Sequence, residues 1–518
     1  MSRIRANTLA LTTSFFVTAF LAFIQVKIVT NYLDKDSVGV WSALIAVGAV
    51  LTAFSQLGLP FVLVRYGAKF DAEGRLGRLQ RLWWFSVIVH IPAMAAMVVL
   101  LLFAGPTLSR LLGEGEVDRW LLILGYLASA SGSLRAFNNA SFRGLRRMTA
   151  LAVIEIAFAA MVTMAYFLLR DRLTVSLVLV IALVASVFWA LVGTVHLLRI
   201  ARPYVKATDP EVLRAPVVPE IKAYWQGAAA TGIFLVAIEQ LDKPLLAGLV
   251  SFDQLAVFYV AARLALFARR LMYVPFQVMN PEITHKWESR RRNELRADME
   301  LFTKLALGLG LTLMVFLGVF ARPLILLIST PEFLSGAPVL WVFLGVLPLI
   351  CLHQPMVMFL RATGHVWHAF VGDSAWLLTY LGLGALLIRP LGLPGFVAGQ
   401  IAASSLILVY NLAVFHRLDL PWPPVAFFIR RVVLGAVIWG LSVALGSLLP
   451  DWSWPVLFGV MAAMAVIGNF ILVRGRFLTP GEEQRAVTML AGRGALGRGA
   501  RFLLTWPRLG SGPVPAGE

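Results

Sequence analysis

Apolar runs long enough to cross a bilayer recur along the whole of this sequence, and charged or turn-forming residues bound almost every one. A helix that spans the hydrocarbon core needs about 20 predominantly apolar residues. Such runs fall near residues 9–32, 39–63, 82–104, 120–142, 150–169, 174–198 and 225–250. A second series follows near 254–278, 303–322, 337–360, 369–388, 394–416, 432–449 and 455–473. Composition agrees, since 59% of the 518 residues are hydrophobic and only 14% are charged, whereas about a quarter are charged in a soluble domain. So few polar side chains cannot coat several globular surfaces. The expected fold is an all-α polytopic membrane protein of about fourteen transmembrane helices, with twelve or thirteen the other counts that the pattern allows. The first run is too long for a signal-peptide core and has no convincing A-x-A site, so it is expected to persist as a helix.

The formal net charge of +18 raises the question of an anionic partner, and position answers it. Basic clusters recur in every second loop: Arg65 to Arg81, Arg143/Arg146/Arg147, Arg199 to Lys222, Lys286 to Lys304 and Arg474 to Arg508. Lys and Arg concentrate on the cytoplasmic side of membrane proteins, so both termini are expected inside. The excess charge reads as topology, and no nucleic-acid partner is expected. Cys351 is the only cysteine and the seven His are scattered, so a disulfide framework, a metal site and a bound cofactor are not expected. No Gly-Lys dipeptide occurs, which excludes a phosphate-binding loop of the ATPase kind. No loop exceeds about 30 residues, whereas a folded domain needs roughly 50. The work is therefore expected inside the bilayer, with no enzyme chemistry.

The chain also reads as two halves at an offset of about 216 residues. Leu33-Asp-Lys-Asp-Ser-Val-Gly-Val-Trp41 aligns with Val250-Ser-Phe-Asp-Gln-Leu-Ala-Val-Phe258, Pro60-Phe61 with Pro275-Phe276, Lys27 with Lys243, Arg143 with Arg361 and Glu155 with Asp373. Each half holds six spans, so both enter the membrane in the same sense, the parallel-repeat plan of many transporters. The expected organisation is 1–224 and 225–430 as six-helix halves, 431–474 as two further helices, and 475–518 as a basic cytoplasmic tail.

The first loop just quoted, the second-span ending Gly58-Leu-Pro-Phe-Val-Leu-Val-Arg65, and the turn Phe142-Arg-Gly-Leu-Arg-Arg147 resemble polysaccharide-biosynthesis (O-antigen and exopolysaccharide) flippases. So do Gln240-Leu-Asp-Lys-Pro-Leu-Leu-Ala-Gly-Leu249 and Ala256-Val-Phe-Tyr-Val-Ala-Ala-Arg263. That family belongs to the multidrug/oligosaccharidyl-lipid/polysaccharide exporter superfamily. The resemblance implies a cationic cavity for a lipid-linked pyrophosphate, and spans 13 and 14 as a groove for the lipid tail.

Ionisable residues within spans are the informative ones, because each costs about 2.5–3.5 kcal/mol at mid-membrane. Arg263 and Arg270 are seven apart and share a helical stripe with Tyr259, while Arg269 points elsewhere. Lys27 and Asn31 lie one turn apart on the first span. Lys27 on one half and Arg263/Arg270 on the other would suit an anion, guanidinium–phosphate pairing being the strongest bond available. The other reading is that these cations snorkel or are neutralised by carboxylates. Arg135, close to Asn138 and Asn139, has two readings, pairing with Glu155 or touching substrate.

Among the acids, Glu239 and Lys243 have the i,i+4 spacing of an intrahelical ion pair, and Glu239 or Asp242 could instead hold a coupling proton or sodium ion. Pro244 denies an N–H to the Gln240 carbonyl and predicts a kink there. Pro60, Pro92, Pro275, Pro348 and Pro355 are further expected bending points. Glu155 and Asp373 are expected in a structural or gating role, with Arg143 and Arg361 as partners. Asp34-Lys35-Asp36 matches a metal–nucleotide DxD pattern, but in a short outer loop a turn is the better reading.

These readings lead to a bacterial inner-membrane flippase moving an isoprenoid-pyrophosphate-linked oligosaccharide by alternating access. Its partners would be that lipid, membrane lipids, a coupling ion and glycan-assembly proteins. Two alternatives compete. A drug/cation antiporter of the same superfamily would have an acidic cavity, and a polysaccharide polymerase or ligase would carry a folded outer domain.

Overall fold

The computed structural model describes residues 2–73, 75, 77–113, 117–145, 147–207, 216–420 and 425–448. The expected span at 455–473 and the basic tail lie outside them, as do Arg146 and residues 208–215. Among the described residues every regular element is helical. Eleven helices are long and apolar enough to cross a membrane, which makes this a multi-pass membrane protein.

Two compact units emerge: Met1–Tyr259 with Ile328–Thr330, and Val260–Leu327 with the chain from Pro331 onward. The first contains α1 (Ser2–Tyr32), α2 (Lys35–Gln56), α3 (Leu59–Ala72), α4 (Gly77–Leu111), α5 (Arg119–Gly144), α6 (Met148–Leu168), α7 (Val175–Ala207), α8 (Val218–Gln240) and the short α9 (Asp242–Ala247). The chain then runs through α10 (Phe252–Glu288), which begins in the first unit and continues into the second. There follow α11 (Arg292–Val319), α12 (Ala321–Ile328), α13 (Ala337–Ala362), α14 (Val366–Arg417) and α15 (Val425–Leu448).

In the first unit α5 is central, packing against α2, α3, α4 and α7, while α1 lies along α6 and α8 lies along α2 and α3. The reason is visible in α3, a short amphipathic helix. It buries Leu59, Val62, Leu63, Tyr66 and Phe70 in a cluster with Phe137 and Phe142 of α5 and Ile221 and Ala228 of α8, leaving Arg65 and Lys69 exposed. In the second unit α13 packs against α11, α14 and α15. The Trp439 indole donates to the Trp341 carbonyl (2.7 Å) and the Trp341 indole to the Gly318 carbonyl (2.9 Å), stitching α15 to α13 and α13 to α11.

Most expected spans are found, and two need correction. The single run at 39–63 is two helices, α2 and α3, broken at Leu57 and Gly58, both at positive φ (48° and 66°). The run at 225–250 is divided into α8 and α9 at Leu241, where Pro244 has no N–H for the Gln240 carbonyl, as expected, although the backbone there keeps helical φ/ψ (−67°, −18°). The spans expected at 369–388 and 394–416 are both found, as two helices within α14 that meet at a kink at Gly392 (φ 64°, ψ −153°). The other prolines do less. Helices continue through Pro92, Pro348 and Pro355, and α10 runs on past Pro275.

Gly58 is where side-chain size matters most. A Cβ there would meet the Ala228 carbonyl oxygen at 2.2 Å, on top of the left-handed backbone. Left-handed φ alone costs an L-residue about 1–2 kcal/mol. Gly58→Ala should therefore destabilise the protein by at least about 2 kcal/mol. Gly132→Ala, in α5 with nothing within 4 Å of its would-be Cβ, should be neutral or stabilise by about 0.5–1 kcal/mol. Melting temperatures of the two variants in detergent check this.

Candidate functional site

Both broken helices of the first unit end at one cavity. Gln56 is the last residue of α2 and Gln240 the last of α8. Both line a space of about 310 Å³ together with Thr52 of α2, Ser129 of α5 and Glu239 of α8. Tight packing of α2 on α5 sets one wall, since a Cβ on Gly48 would meet the Ser129 Oγ at 2.5 Å and the Gly125 carbonyl oxygen at 2.6 Å. The Gln56 amide donates to Ser133 Oγ (2.8 Å), which fixes its orientation and leaves its oxygen as an acceptor. Thr52 is 6% exposed, and its Oγ1 has no hydrogen-bond partner among the described residues. Glu239 is exposed to the cavity side of α8 and takes part in no ion pair among the described residues. Two amides, two hydroxyls and a carboxylate thus converge on the space, and no cation is among the described residues that line it.

Several membrane charges expected at a binding site are neutralised locally instead. Arg135 donates to Glu155 at 2.7 Å and stacks over the Phe158 ring at 3.7 Å, and Asn139 donates to the same carboxylate oxygen. Glu155 thus takes Arg135, not the expected Arg143, which is exposed at the end of α5. Asp373 does pair with Arg361, as expected. Lys243 bonds Asp242 Oδ1 at 3.0 Å and reaches only the backbone carbonyl of Glu239 (3.3 Å). The predicted Glu239–Lys243 pair is thereby corrected: the backbone stays helical through Leu241 (φ −67°, ψ −18°), and the Lys243 ammonium takes the nearer Asp242 carboxylate.

Lys27 donates its ammonium to the Ser329 carbonyl, and Thr30 Oγ1 donates to the Ile328 carbonyl at 3.3 Å. Both acceptors, Ile328 and Ser329, belong to the same unit as Lys27. Asn31, one turn on, is exposed. Tyr259 is buried edge-to-face against Trp41, at 5.3 Å between ring centroids. In the second unit Arg263 is half-buried and Arg270 exposed on α10.

Asp34 caps α2 by accepting from the Ser37 N–H at 3.1 Å, and that hydrogen bond holds its carboxyl below the usual carboxylate range. Lys35 pairs with Asp253 at 3.3 Å. The DxD triplet is a helix-capping turn.

Thr52, Gln56, Ser129 and Gln240 escaped the sequence reading, which searched for charges. Gly/Pro interruption of hydrophobic segments was the available signal, because discontinuous helices mark transporter binding sites.

Comparison with known proteins agrees with this architecture. The family model described as "Polysaccharide biosynthesis protein" matches residues 4–287. No functionally curated protein matches at the sequence level. A lipid II flippase MurJ in an inward closed conformation has a similar fold, with a TM-score of 0.65, 13% identity, and coverage of 91% of this chain and 99% of that one. An inward-facing multidrug resistance MATE family transporter of the MOP superfamily aligns at a TM-score of 0.56 and 16% identity over 78% and 95%. A MOP superfamily transporter from Pyrococcus furiosus, reported with a binding pocket of reverse polarity, aligns at 0.51 and 14% over 80% and 94%.

The Arg135–Glu155 pair carries its own prediction. Removing one partner of a buried pair costs about 3–5 kcal/mol, less here because the side chains are 19% and 29% exposed. Arg135→Gln should destabilise by about 2 kcal/mol, and adding Glu155→Gln should recover at least half of that loss. A double-mutant cycle on melting temperature reads it directly.

Proposed function

Because the chain belongs to the polysaccharide biosynthesis protein family, we propose that it is a flippase carrying an isoprenoid-pyrophosphate-linked oligosaccharide across a bacterial inner membrane for cell-surface polysaccharide synthesis. Translocation proceeds by alternating access, with both termini in the cytoplasm and a proton or sodium gradient as the driving force. The observation that carries this reading is α10. Between Asp253 and Glu282 it bears Arg263, Arg269 and Arg270 and no carboxylate. Lipid-facing arginines would cost about 2.5–3.5 kcal/mol each at mid-membrane, so a helix that keeps three of them is suited to a water-filled path and an anionic cargo. Arg263 and Arg270 would hold the pyrophosphate. Lys27 would join them only when its bond to the Ser329 carbonyl opens. Glycan-assembly enzymes are the natural partners at either face.

One observation favours a second reading, a drug/cation antiporter: the cavity of the first unit is lined by Glu239 and by no cation. Family membership supports the flippase over it.

Proteoliposome translocation of an isoprenoid-pyrophosphate-linked N-acetylglucosamine separates the two. Each charge-assisted phosphate contact is worth about 1.5–3 kcal/mol, or about 10- to 100-fold. Arg263→Ala and Arg270→Ala should each slow translocation by that factor with insertion intact. Unaltered rates would discard the arginine site, and ion-driven efflux of an organic cation without lipid movement would establish the antiporter.

A further inference from the structure

We propose that the cavity between α2, α5 and α8 is the glycan subsite of this transporter, built for a neutral sugar and set against acidic ones; the assignment rests on the flippase reading above. Its volume of about 310 Å³ lies at the small end of small-molecule sites, about 300–1,000 Å³. That is far more than a bare ion with oxygen ligands at about 2.3–2.6 Å would need. A sugar hydroxyl is both donor and acceptor, and several must be satisfied at once. Gln56, Thr52, Ser129 and Gln240 supply that mixed set, and Glu239 supplies a charged acceptor.

Thr52 points to a missing ligand most directly. A hydroxyl on a side chain 6% exposed, without a hydrogen-bond partner among the described residues, carries a desolvation cost that a bound hydroxyl would remove. Electrostatics define what cannot bind. The C-terminal turn of α2 borders the cavity, so the negative end of its helix dipole adds to the Glu239 carboxylate. A phosphate or a uronic acid would be repelled there. The pyrophosphate must therefore be held by other residues, and the charge of the sugar becomes a selection criterion.

The breaks explain why the polar groups sit here. The chain of α2 stops at Gln56, where Leu57 turns left-handed, and Gln240 at the end of α8 faces the same space.

The test uses the full chain in proteoliposomes with two isoprenoid-pyrophosphate probes, one carrying N-acetylglucosamine and one carrying glucuronic acid. Wild type should move the neutral probe about tenfold faster. Thr52→Val, which keeps shape and removes the hydroxyl, should lose about tenfold on the neutral probe, while Glu239→Gln should bring the two rates together. Equal wild-type rates left unchanged by both variants would overturn the subsite and leave the flippase standing. Movement of neither probe would count against the flippase, and saturation-transfer NMR with methyl N-acetylglucosaminide on the detergent-solubilised chain then decides the subsite. Binding weakened by Thr52→Val sustains it. No binding, or binding of tetraphenylphosphonium in its place that Glu239→Gln abolishes, overturns it.

Discussion

In hydrocarbon a backbone amide has no water to turn to, and that constraint shapes every feature of this protein. Helices satisfy their own N–H and C=O groups, so a chain of this composition has little choice but to cross as helices. A break is tolerated only where other groups take up what the helix gives up, or where the backbone borders a cavity. At Leu57 the freed carbonyl accepts the Trp225 indole N–H at 2.8 Å, and the Leu57 amide still reaches Ala53 (3.2 Å). At the second break the amide of Leu241 reaches Ala237 (3.0 Å) and that of Leu245 reaches Leu241 (3.2 Å), while Pro244 has no N–H to offer Gln240. Both departures from the helix are thus bonded ones, and both flank the same cavity.

The same low-dielectric environment sorts the charges. Arg135, Lys243 and Arg361 each meet a carboxylate within their own unit, and a neutralised pair is far cheaper to keep in a membrane than two isolated ions. Glu239 and the arginines of α10 stand apart from these local pairs by sequence position. Charges that a membrane helix keeps at such cost are the first candidates for function.

Much of the fold was legible from apolar length alone. The run expected at 120–142 is α5, Arg119–Gly144, and the one at 337–360 is α13, Ala337–Ala362. Hydrophobicity could not reveal the break at Gly58, since Leu57, Leu59, Phe61 and Val62 keep the run apolar through it, and only Gly58 and Pro60 mark the place. Repeat logic succeeded at Asp373 and failed at Glu155 for a reason of depth. Glu155 lies seven residues into α6 from Met148, and Arg135 lies nine from the end of α5 at Gly144, so the two meet at similar depth, whereas Arg143 sits at the helix end. At the offset of 218 that relates Glu155 to Asp373 (373 − 155), Arg135 corresponds to His353 (353 − 135), a buried histidine. Asp373 takes Arg361 as its ion-pair partner, with Arg269 of α10 also within electrostatic reach of it.

Polar residues of the cavity were illegible for a different reason. Thr52, Gln56, Ser129 and Gln240 are individually unremarkable in membrane helices, where hydroxyls and amides commonly serve packing. What distinguishes them is convergence, and convergence here depends on two helix ends that periodicity does not mark. Charge was the better-advertised signal, and it led to the arginines of α10. A lipid-linked oligosaccharide, however, is two chemistries in one molecule, an anionic linker and a polyhydroxylated headgroup. Guanidinium groups favour the first through charge, and would hold any phosphate alike. Discrimination among glycans has to come from neutral donors and acceptors in fixed geometry, where a missing or misplaced hydroxyl leaves a buried group unpaired. The amides and hydroxyls of Gln56, Gln240, Thr52 and Ser129 that line the cavity of the first unit are groups of that kind.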